Sequence, residues 1–255
     1  MIEIIILGFL AGFIFEFIDS FLGGGYGTTL TPLFLAIGYS LPQIVPMILL
    51  SEVLTGLIGG GIFHMKFGNV DKTAITWVTP FAIIGTVSAL IVSIKIGSFF
   101  VNLYIGLLVL VLGLAMFLKY IKDKNNNGKI SEKTHNKRLP IIGTFIGFNK
   151  AISGGGFGPV LVGGLSWSGY DPKKSVGSTT LTEGLVCVVA FLGYWYLNGL
   201  SAINWDLAIP LIIGAVLATP FAAYATHKVP KKILGVMVSL TIIVLGAWIL
   251  VKLLL

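Results

Sequence analysis

The sequence predicts an all-α polytopic membrane protein made of two inverted-topology repeats, and three observations support this prediction. The 255-residue chain is 56% hydrophobic and only 11% charged, whereas an average soluble domain is about 25% charged. Its apolar stretches have the length of membrane-spanning helices. Two glycine-rich interruptions recur at matched positions in the two halves of the chain, which indicates an internal repeat.

Six apolar stretches are long enough to cross a bilayer as helices, which takes about 20 residues each. Four of them contain no Asp, Glu, Lys or Arg, and the other two contain one glutamate each, Glu52 and Glu183. Helices are expected because the hydrocarbon core offers the backbone no hydrogen-bond partners. The alternating pattern of β-barrel strands is absent. The six stretches are 43–63, 73–94, 98–118, 175–196, 207–226 and 233–251.

Two glycine-rich breaks interrupt the remaining apolar sequence, 131 residues apart (23 to 154). A glycine inside a helix costs roughly 1 kcal/mol relative to alanine, so three in succession indicate that the helix stops. Segment 140–170 is too short for two full crossings, and segment 1–38 has room for one fuller span and a half-helix. Both are predicted to be broken or re-entrant hairpins. The breaks contain Gly23, Gly24, Gly25 and Gly27 in the first half and Gly154, Gly155, Gly156 and Gly158 in the second.

A gap-free alignment of residues 23–54 with residues 154–185 supports the internal repeat. Eleven of the 32 aligned positions are identical, and Glu52 aligns with Glu183. Each repeat is predicted to consist of a glycine-broken hairpin followed by three transmembrane helices. The predicted domains are a first transmembrane repeat over 1–118, a basic linker over 119–139 and a second transmembrane repeat over 140–255.

The positions of the basic residues predict how the chain is oriented in the membrane. Lysines and arginines near helix ends mark the cytoplasmic side. Fourteen of the 17 basic residues fall in a few loops, and seven of them lie in 119–138. If these loops are cytoplasmic, the linker 119–139 is inside, the repeats have opposite orientations and both termini are outside. Because the net charge of +7 is concentrated in these loops, no nucleic-acid partner is expected.

The two glycine breaks are predicted to frame one site for a small anion near the membrane midplane. The free N–H groups at a helix start, with the positive end of the helix dipole, bind anions. Glycine also lets a ligand approach the backbone closely. Ser20 and Ser153 are candidate hydroxyl donors beside this site. The alternative is that these glycines only permit tight helix packing.

Four ionisable residues accompany the breaks. Glu52 and Glu183 are equivalent by the repeat and lie near mid-membrane, where an ionisable group suggests a function such as proton coupling. A structural hydrogen bond, to the glycine amides or to the preceding hydroxyl residue, is the alternative. Asp19 and Lys150 are also equivalent and precede the two breaks. Either they form a buried pair, or Lys150 attracts the anion while Asp19 repels it or carries protons, or Lys150 extends to the cytoplasmic boundary.

Several classes of function lack their sequence signatures. We find no metal-ligand cluster, phosphate-binding P-loop, nucleophile elbow or dinucleotide fingerprint. The sequence therefore predicts no metal, no cofactor and no enzymatic activity. Cys187 is the single cysteine, which excludes an intrachain disulfide.

The two breaks, each followed by a short helix and a Gly-Tyr pair, resemble the TauE/SafE sulfite exporter family, also called TSUP. The stretch from His64 to Asp71 is similar to that family's pattern after the second helix, and the resemblance covers nearly the whole chain. The second repeat departs from the pattern, with Gly163 where the first has Pro32.

The resemblance implies a secondary transporter in the cell membrane. Its expected substrates are small sulfur-containing anions such as sulfite, thiosulfate or organosulfonates, and its expected direction is export. The partners are then the anion, the lipid bilayer and, if transport is coupled, protons. A passive anion channel and a non-transporting receptor subunit are the alternatives, and the oligomeric state is left open.

Overall fold

The computed structural model of the chain contains helices and no strands in the part that it describes. Six of its helical segments are long and apolar enough to cross a membrane, which confirms the predicted all-α polytopic fold. The described residues are 2–92, 98–122, 136–153, 156–199 and 203–254.

The α-helices of the described residues follow the predicted apolar stretches closely. Five of the six stretches coincide with long apolar helices. The remaining stretch lies in α5, and α1 is by itself long enough to span. A π-helical segment, Gly56–His64, continues α3. The helices are α1 Ile2–Leu22, α2 Tyr26–Ala36, α3 Leu41–Thr55, α4 Lys72–Val92, α5 Ser98–Lys122, α6 Leu139–Ser153, α7 Phe157–Trp167, α8 Pro172–Asn198, α9 Trp205–Lys228 and α10 Lys231–Leu254.

Each half of the chain begins with a broken helical hairpin, as the glycines predict. The break at residues 23–25 separates α1 from α2, and the break after residue 153 separates α6 from α7. Helices α2 and α7 have 11 residues each, which is about 16 Å at 1.5 Å per residue and about half of the hydrocarbon core. Each of these two helices is therefore too short to cross the membrane by itself.

The two hairpins also share their backbone conformation. Gly25 and Gly156 have positive φ angles of 72° and 75°, and Gly38 and Gly169 have 98° and 95°. Only glycine adopts this region without strain. In both repeats the tyrosine after the second of these glycines donates its amide to the carbonyl five residues earlier, at 3.0 Å. The sequence repeat is thus a structural repeat here, while its inverted orientation in the membrane stays a prediction.

Glycines mediate the close crossings that join the two halves. Helix α1 packs along α9 at Gly8 and Gly12, and α6 packs along α4 at Gly143 and Gly147. A Cβ at any of these four positions would press on a backbone carbonyl of the partner helix. The four-residue spacing is typical of closely packed membrane helices. Each half therefore packs its first helix against the fourth helix of the other half.

Helices α5 and α10 make a reciprocal contact, in which each helix uses one glycine to approach the backbone of the other. A Cβ at Gly113 would lie 2.9 Å from the amide nitrogen of Ile243, and a Cβ at Gly246 would lie 2.7 Å from that of Leu110. These pairs are equivalent in the alignment of the two halves.

The π-helical segment contains a third run of glycines, Gly59, Gly60 and Gly61. Unlike the two breaks, this run stays helical. A Cβ at Gly59 would lie 2.9 Å from Thr219, and a Cβ at Gly60 would lie 2.6 Å from the backbone of Leu181. The glycines of this third run therefore permit tight helix packing, which was the alternative role considered for the two breaks.

Replacing Gly147 with alanine is expected to destabilise the fold by about 1–3 kcal/mol, because the new methyl group would overlap the Ala82 carbonyl oxygen and force α4 and α6 apart. The thermal unfolding midpoint of the detergent-purified protein measures this effect. Gly61→Ala is the control, because the nearest atom to its Cβ would be 3.6 Å away. Equal midpoints for the two variants would contradict the prediction.

Candidate functional site

A buried ion cluster lies where three helices meet at the centre of the molecule. The Lys150 Nζ on α6 lies 2.6 Å from Glu52 Oε2 on α3 and 2.9 Å from Glu183 Oε1 on α8. None of the three side chains is more than 6% exposed. One ammonium group is therefore shared by two carboxyl groups of opposite repeats.

A glycine directly after α3 and a glycine on α8 explain why the two glutamates reach the same lysine. Gly56 and Gly184 lie against each other, such that a Cβ at Gly56 would be 2.6 Å from the Gly184 nitrogen. Glu52 precedes Gly56 by one helical turn, and Glu183 is next to Gly184. Because the two backbones touch at this crossing, both carboxyl groups come within hydrogen-bond distance of one ammonium.

The charges of this ion cluster do not balance if both carboxyl groups are ionised. One lysine and two carboxylates leave a net charge of −1, and an uncompensated charge in a membrane interior is costly. The Cys187 thiol donates to Glu52 Oε2 at 3.2 Å. Among the described residues, Glu52 Oε1 has no hydrogen-bond partner. One proton on either carboxyl group would make the cluster neutral.

Two of the three alternatives that the sequence left open for Lys150 do not hold, and its attraction of the anion stays a prediction. The lysine does not pair with Asp19, because its ammonium contacts Glu52 and Glu183. It does not extend to the membrane boundary either, since the residue is only 2% exposed. Both glutamates accept hydrogen bonds from this lysine. The repeat relates Asp19 to Lys150, but symmetry-equivalent positions need not touch.

Asp19 binds the first glycine break. Its Oδ1 accepts a hydrogen bond from the Gly25 amide at 2.5 Å, and the residue is 6% exposed. Gly23 and Gly25 have φ angles of 71° and 72°, and these left-handed turns reverse the chain so that the Gly25 amide faces the last turn of α1. Gly24 and Gly27 are buried in the same region.

The second glycine break contacts the first. The Gly156 amide donates to Thr28 Oγ1 at 2.6 Å. A Cβ at Gly158 would lie 3.2 Å from the Gly25 nitrogen and 3.2 Å from Asp19 Oδ1. The starts of α2 and α7 are therefore adjacent at one point. Gly154, Gly155 and the side chain of Ser153 lie outside the described residues.

Three further buried side chains belong to this region and were not predicted: Glu16, Tyr26 and Cys187. Ser20, predicted as a donor to the anion, donates instead to Glu16 Oε1 at 2.5 Å. Glu16 is 1% exposed. The Tyr26 hydroxyl lies 3.0 Å from Ser51 Oγ.

The sequence did contain signals for two of these residues, Glu16 and Cys187. Glu16 is an acidic residue in an apolar helix and lies one turn before Ser20, on the same helix face. Cys187 lies four residues after Glu183, which also places it on the same face of α8.

The buried ionisable residues of the region interact electrostatically with one another. We call this group the central polar cluster. No group of three or more His, Cys, Asp or Glu residues in the described part of the chain is placed to hold a metal ion. The central polar cluster comprises Glu16, Asp19, Glu52, Lys150 and Glu183.

Comparisons with known proteins agree with these features. The family model described as "Sulfite exporter TauE/SafE" matches residues 7–249. The chain belongs to this family. It is also 33% identical over 253 residues to "Probable membrane transporter protein YtnM" of Bacillus subtilis (strain 168), a match that covers 97% of this chain and 82% of that protein. No solved structure matches the chain significantly.

Membership of the TauE/SafE family confirms the resemblance noted from the glycine breaks. The protein is a multi-pass membrane transporter, as the family and the six apolar helices indicate. The family is one of membrane transporters. Substrate, coupling ion, membrane sidedness and the roles of individual site residues stay predictions.

Proposed function

We propose that this TauE/SafE protein is a secondary transporter that exports a small sulfur-containing anion, such as sulfite, thiosulfate or an organosulfonate. The anion binds where the two glycine breaks meet. The observation that carries the proposal is the contact of the breaks, in which Gly158 approaches the Gly25 amide closely. Two helix starts then direct their positive dipole ends to one place, the arrangement used by broken helices in other secondary transporters.

The charges of the central polar cluster support coupling of the anion to protons. An entering anion is attracted by one buried lysine and repelled by every ionised carboxyl group near it. Binding is therefore favoured when carboxyl groups carry protons. Glu52 and Glu183 are suited to exchange a proton, since both share the ammonium of Lys150.

An occluded site fits the breaks better than the open pore of a channel. Residues 23–27 and 156–158 are buried and contact one another. A transporter with an occluded site shows saturable flux and counterflow, while a channel gives large unitary currents. A receptor subunit would bind the anion without any flux.

Flux measurements on purified protein in proteoliposomes test the proposed function. Sulfite, thiosulfate, an alkylsulfonate and a carboxylate of similar size are compared as substrates in counterflow experiments. We expect saturable counterflow with at least one sulfur anion and weaker flux with the carboxylate. Absence of flux with every sulfur anion, or equal flux with the carboxylate, would contradict the proposal.

Glu52→Gln and Glu183→Gln are expected to lower the dependence of flux on a pH gradient while preserving the fold. Glutamine can still hydrogen-bond to Lys150 but cannot exchange a proton. Flux is measured with and without an imposed pH gradient. Glu3→Gln is the control, because Glu3 is exposed in the first turn of α1. If both variants keep wild-type coupling, neither glutamate carries the proton.

A further inference from the structure

The first glycine break already holds an anion, which is the protein's own Asp19 carboxylate. Its Oδ1 lies 2.5 Å from the Gly25 amide. It also lies close to the second break, since a Cβ at Gly158 would be only 3.2 Å from it. The carboxylate thus stands between the two helix starts that the proposed substrate would use.

The second repeat has no acidic residue at the equivalent position. The position equivalent to Asp19 is Lys150, which binds the two glutamates instead. Helix α7 has Gly156 at its N-cap, and the Gly156 amide donates to the neutral Thr28 hydroxyl at 2.6 Å rather than to a carboxylate. The two breaks therefore have similar backbone conformations but are preceded by residues of opposite charge. Asp19 lies where the two breaks contact each other.

An ionised Asp19 and a substrate anion cannot share this place. Two negative charges about 4 Å apart at an effective dielectric constant of about 20 repel enough to weaken binding roughly a thousandfold. The buried Lys150 nearby already pairs with two carboxyl groups, those of Glu52 and Glu183. The ionisable groups that interact electrostatically with Asp19 are Glu16, Tyr26, Glu52, Lys150 and Glu183. The buried His64 ring lies near the Ser20 backbone.

We propose that Asp19 is an internal competitor of the substrate, and this inference rests on the proposed function. Without substrate, the ionised carboxylate holds the amides of the first break. When the substrate anion takes its place, the carboxylate takes up one proton from solvent and becomes neutral. Anion and proton then bind in a ratio of one to one at the same point, independently of the lysine-linked glutamates.

Thiosulfate binding to the purified full-length protein tests this competition, because thiosulfate stays fully ionised from mildly acidic to mildly alkaline pH. The wild-type affinity is expected to fall about tenfold per pH unit at alkaline pH, the slope for one linked proton. Asp19→Asn keeps an oxygen acceptor for the Gly25 amide and loses the charge. We expect this variant to bind at least about tenfold more tightly at alkaline pH, without the slope.

A second measurement does not require any variant to fold. In weakly buffered solution with a pH indicator, the wild-type protein should take up about one proton per thiosulfate bound. Asp206→Asn is the matched control, since it removes an exposed acidic charge from another helix start, and it should keep both the wild-type slope and the proton uptake.

The outcomes separate this inference from the proposed function. If the wild-type protein binds thiosulfate without proton uptake, Asp19 does not compete with the substrate. The same follows if the thiosulfate affinity of Asp19→Asn still falls with rising pH as in the wild-type protein. In both cases the protein would still have an anion site. Weaker binding by Asp19→Asn would also overturn the competition, because Asp19 would then support the bound anion. If the wild-type protein binds neither thiosulfate, sulfite nor an alkylsulfonate, the proposed function itself fails.

Discussion

Replacing Lys150 with methionine is expected to abolish transport and to destabilise the fold by about 3–5 kcal/mol. The substitution keeps a long unbranched side chain but leaves Glu52 and Glu183 buried beside each other without their shared cation. Removing one partner of a buried ion pair is costly because the remaining charge has no solvent and no counterion. Counterflow in proteoliposomes and the thermal unfolding midpoint in detergent measure the two effects.

A compensated variant separates the loss of stability from the loss of function. Combining Lys150→Met with Glu52→Gln and Glu183→Gln gives a neutral centre of nearly the same volume. This triple variant should recover most of the unfolding midpoint, because positions 52 and 183 no longer hold carboxylates without a counterion. Transport should stay absent, since the buried cation and the exchangeable protons of both glutamates are gone.

The control for Lys150→Met is Lys66→Met, which removes an exposed lysine and should behave like the wild-type protein. If Lys150→Met unfolds at the wild-type midpoint, the two glutamates do not depend on the lysine for their charge balance. If the triple variant transports with wild-type coupling, the ion cluster is structural and the proton path lies elsewhere.

The helices and the breaks were predictable because they depend on local composition. Apolar runs of spanning length predict α4, α8, α9 and α10, since helices satisfy the backbone inside a bilayer without help from other segments. The breaks follow from successive glycines that stop a helix. The start of α2 at Tyr26 and of α7 at Phe157 agrees with the glycine positions.

The partners of the central residues were not predictable, because they depend on where distant helices cross. Lys150 contacts both glutamates because Gly56, directly after α3, and Gly184 on α8 let the two backbones touch. The repeat suggested Asp19 as its partner, but a sequence repeat relates positions by symmetry and says nothing of contact.

Local composition also could not separate the two kinds of glycine run. Residues 59–61 are as glycine-rich as residues 23–25, yet the former run continues a helix and the latter turns the chain. Tertiary packing overrides propensity here, because the glycines of the helical run lie against neighbouring helices.

Gly25→Ala is expected to reduce anion transport at least about tenfold, because it acts on both the backbone and the contact of the two breaks. Gly25 has a φ of 72°, and an L-residue in the left-handed region costs roughly 1–2 kcal/mol. Its new methyl group would also lie 2.8 Å from Thr28 Oγ1 and 3.1 Å from Pro159 Cδ. The second break would have to move away, and the two helix starts would no longer face one point.

Gly68→Ala is the control that separates the effect of backbone strain from the effect of moving the two breaks apart. Gly68 has a φ of 71° but is exposed, and its Cβ would have no atom within 4 Å. Both variants therefore have nearly the same backbone strain, and only Gly25→Ala disturbs the breaks. Counterflow is compared between the two variants at equal amounts of folded protein. If they transport equally, the meeting of the breaks does not form the substrate site, and positive φ alone explains why glycine stands at position 25.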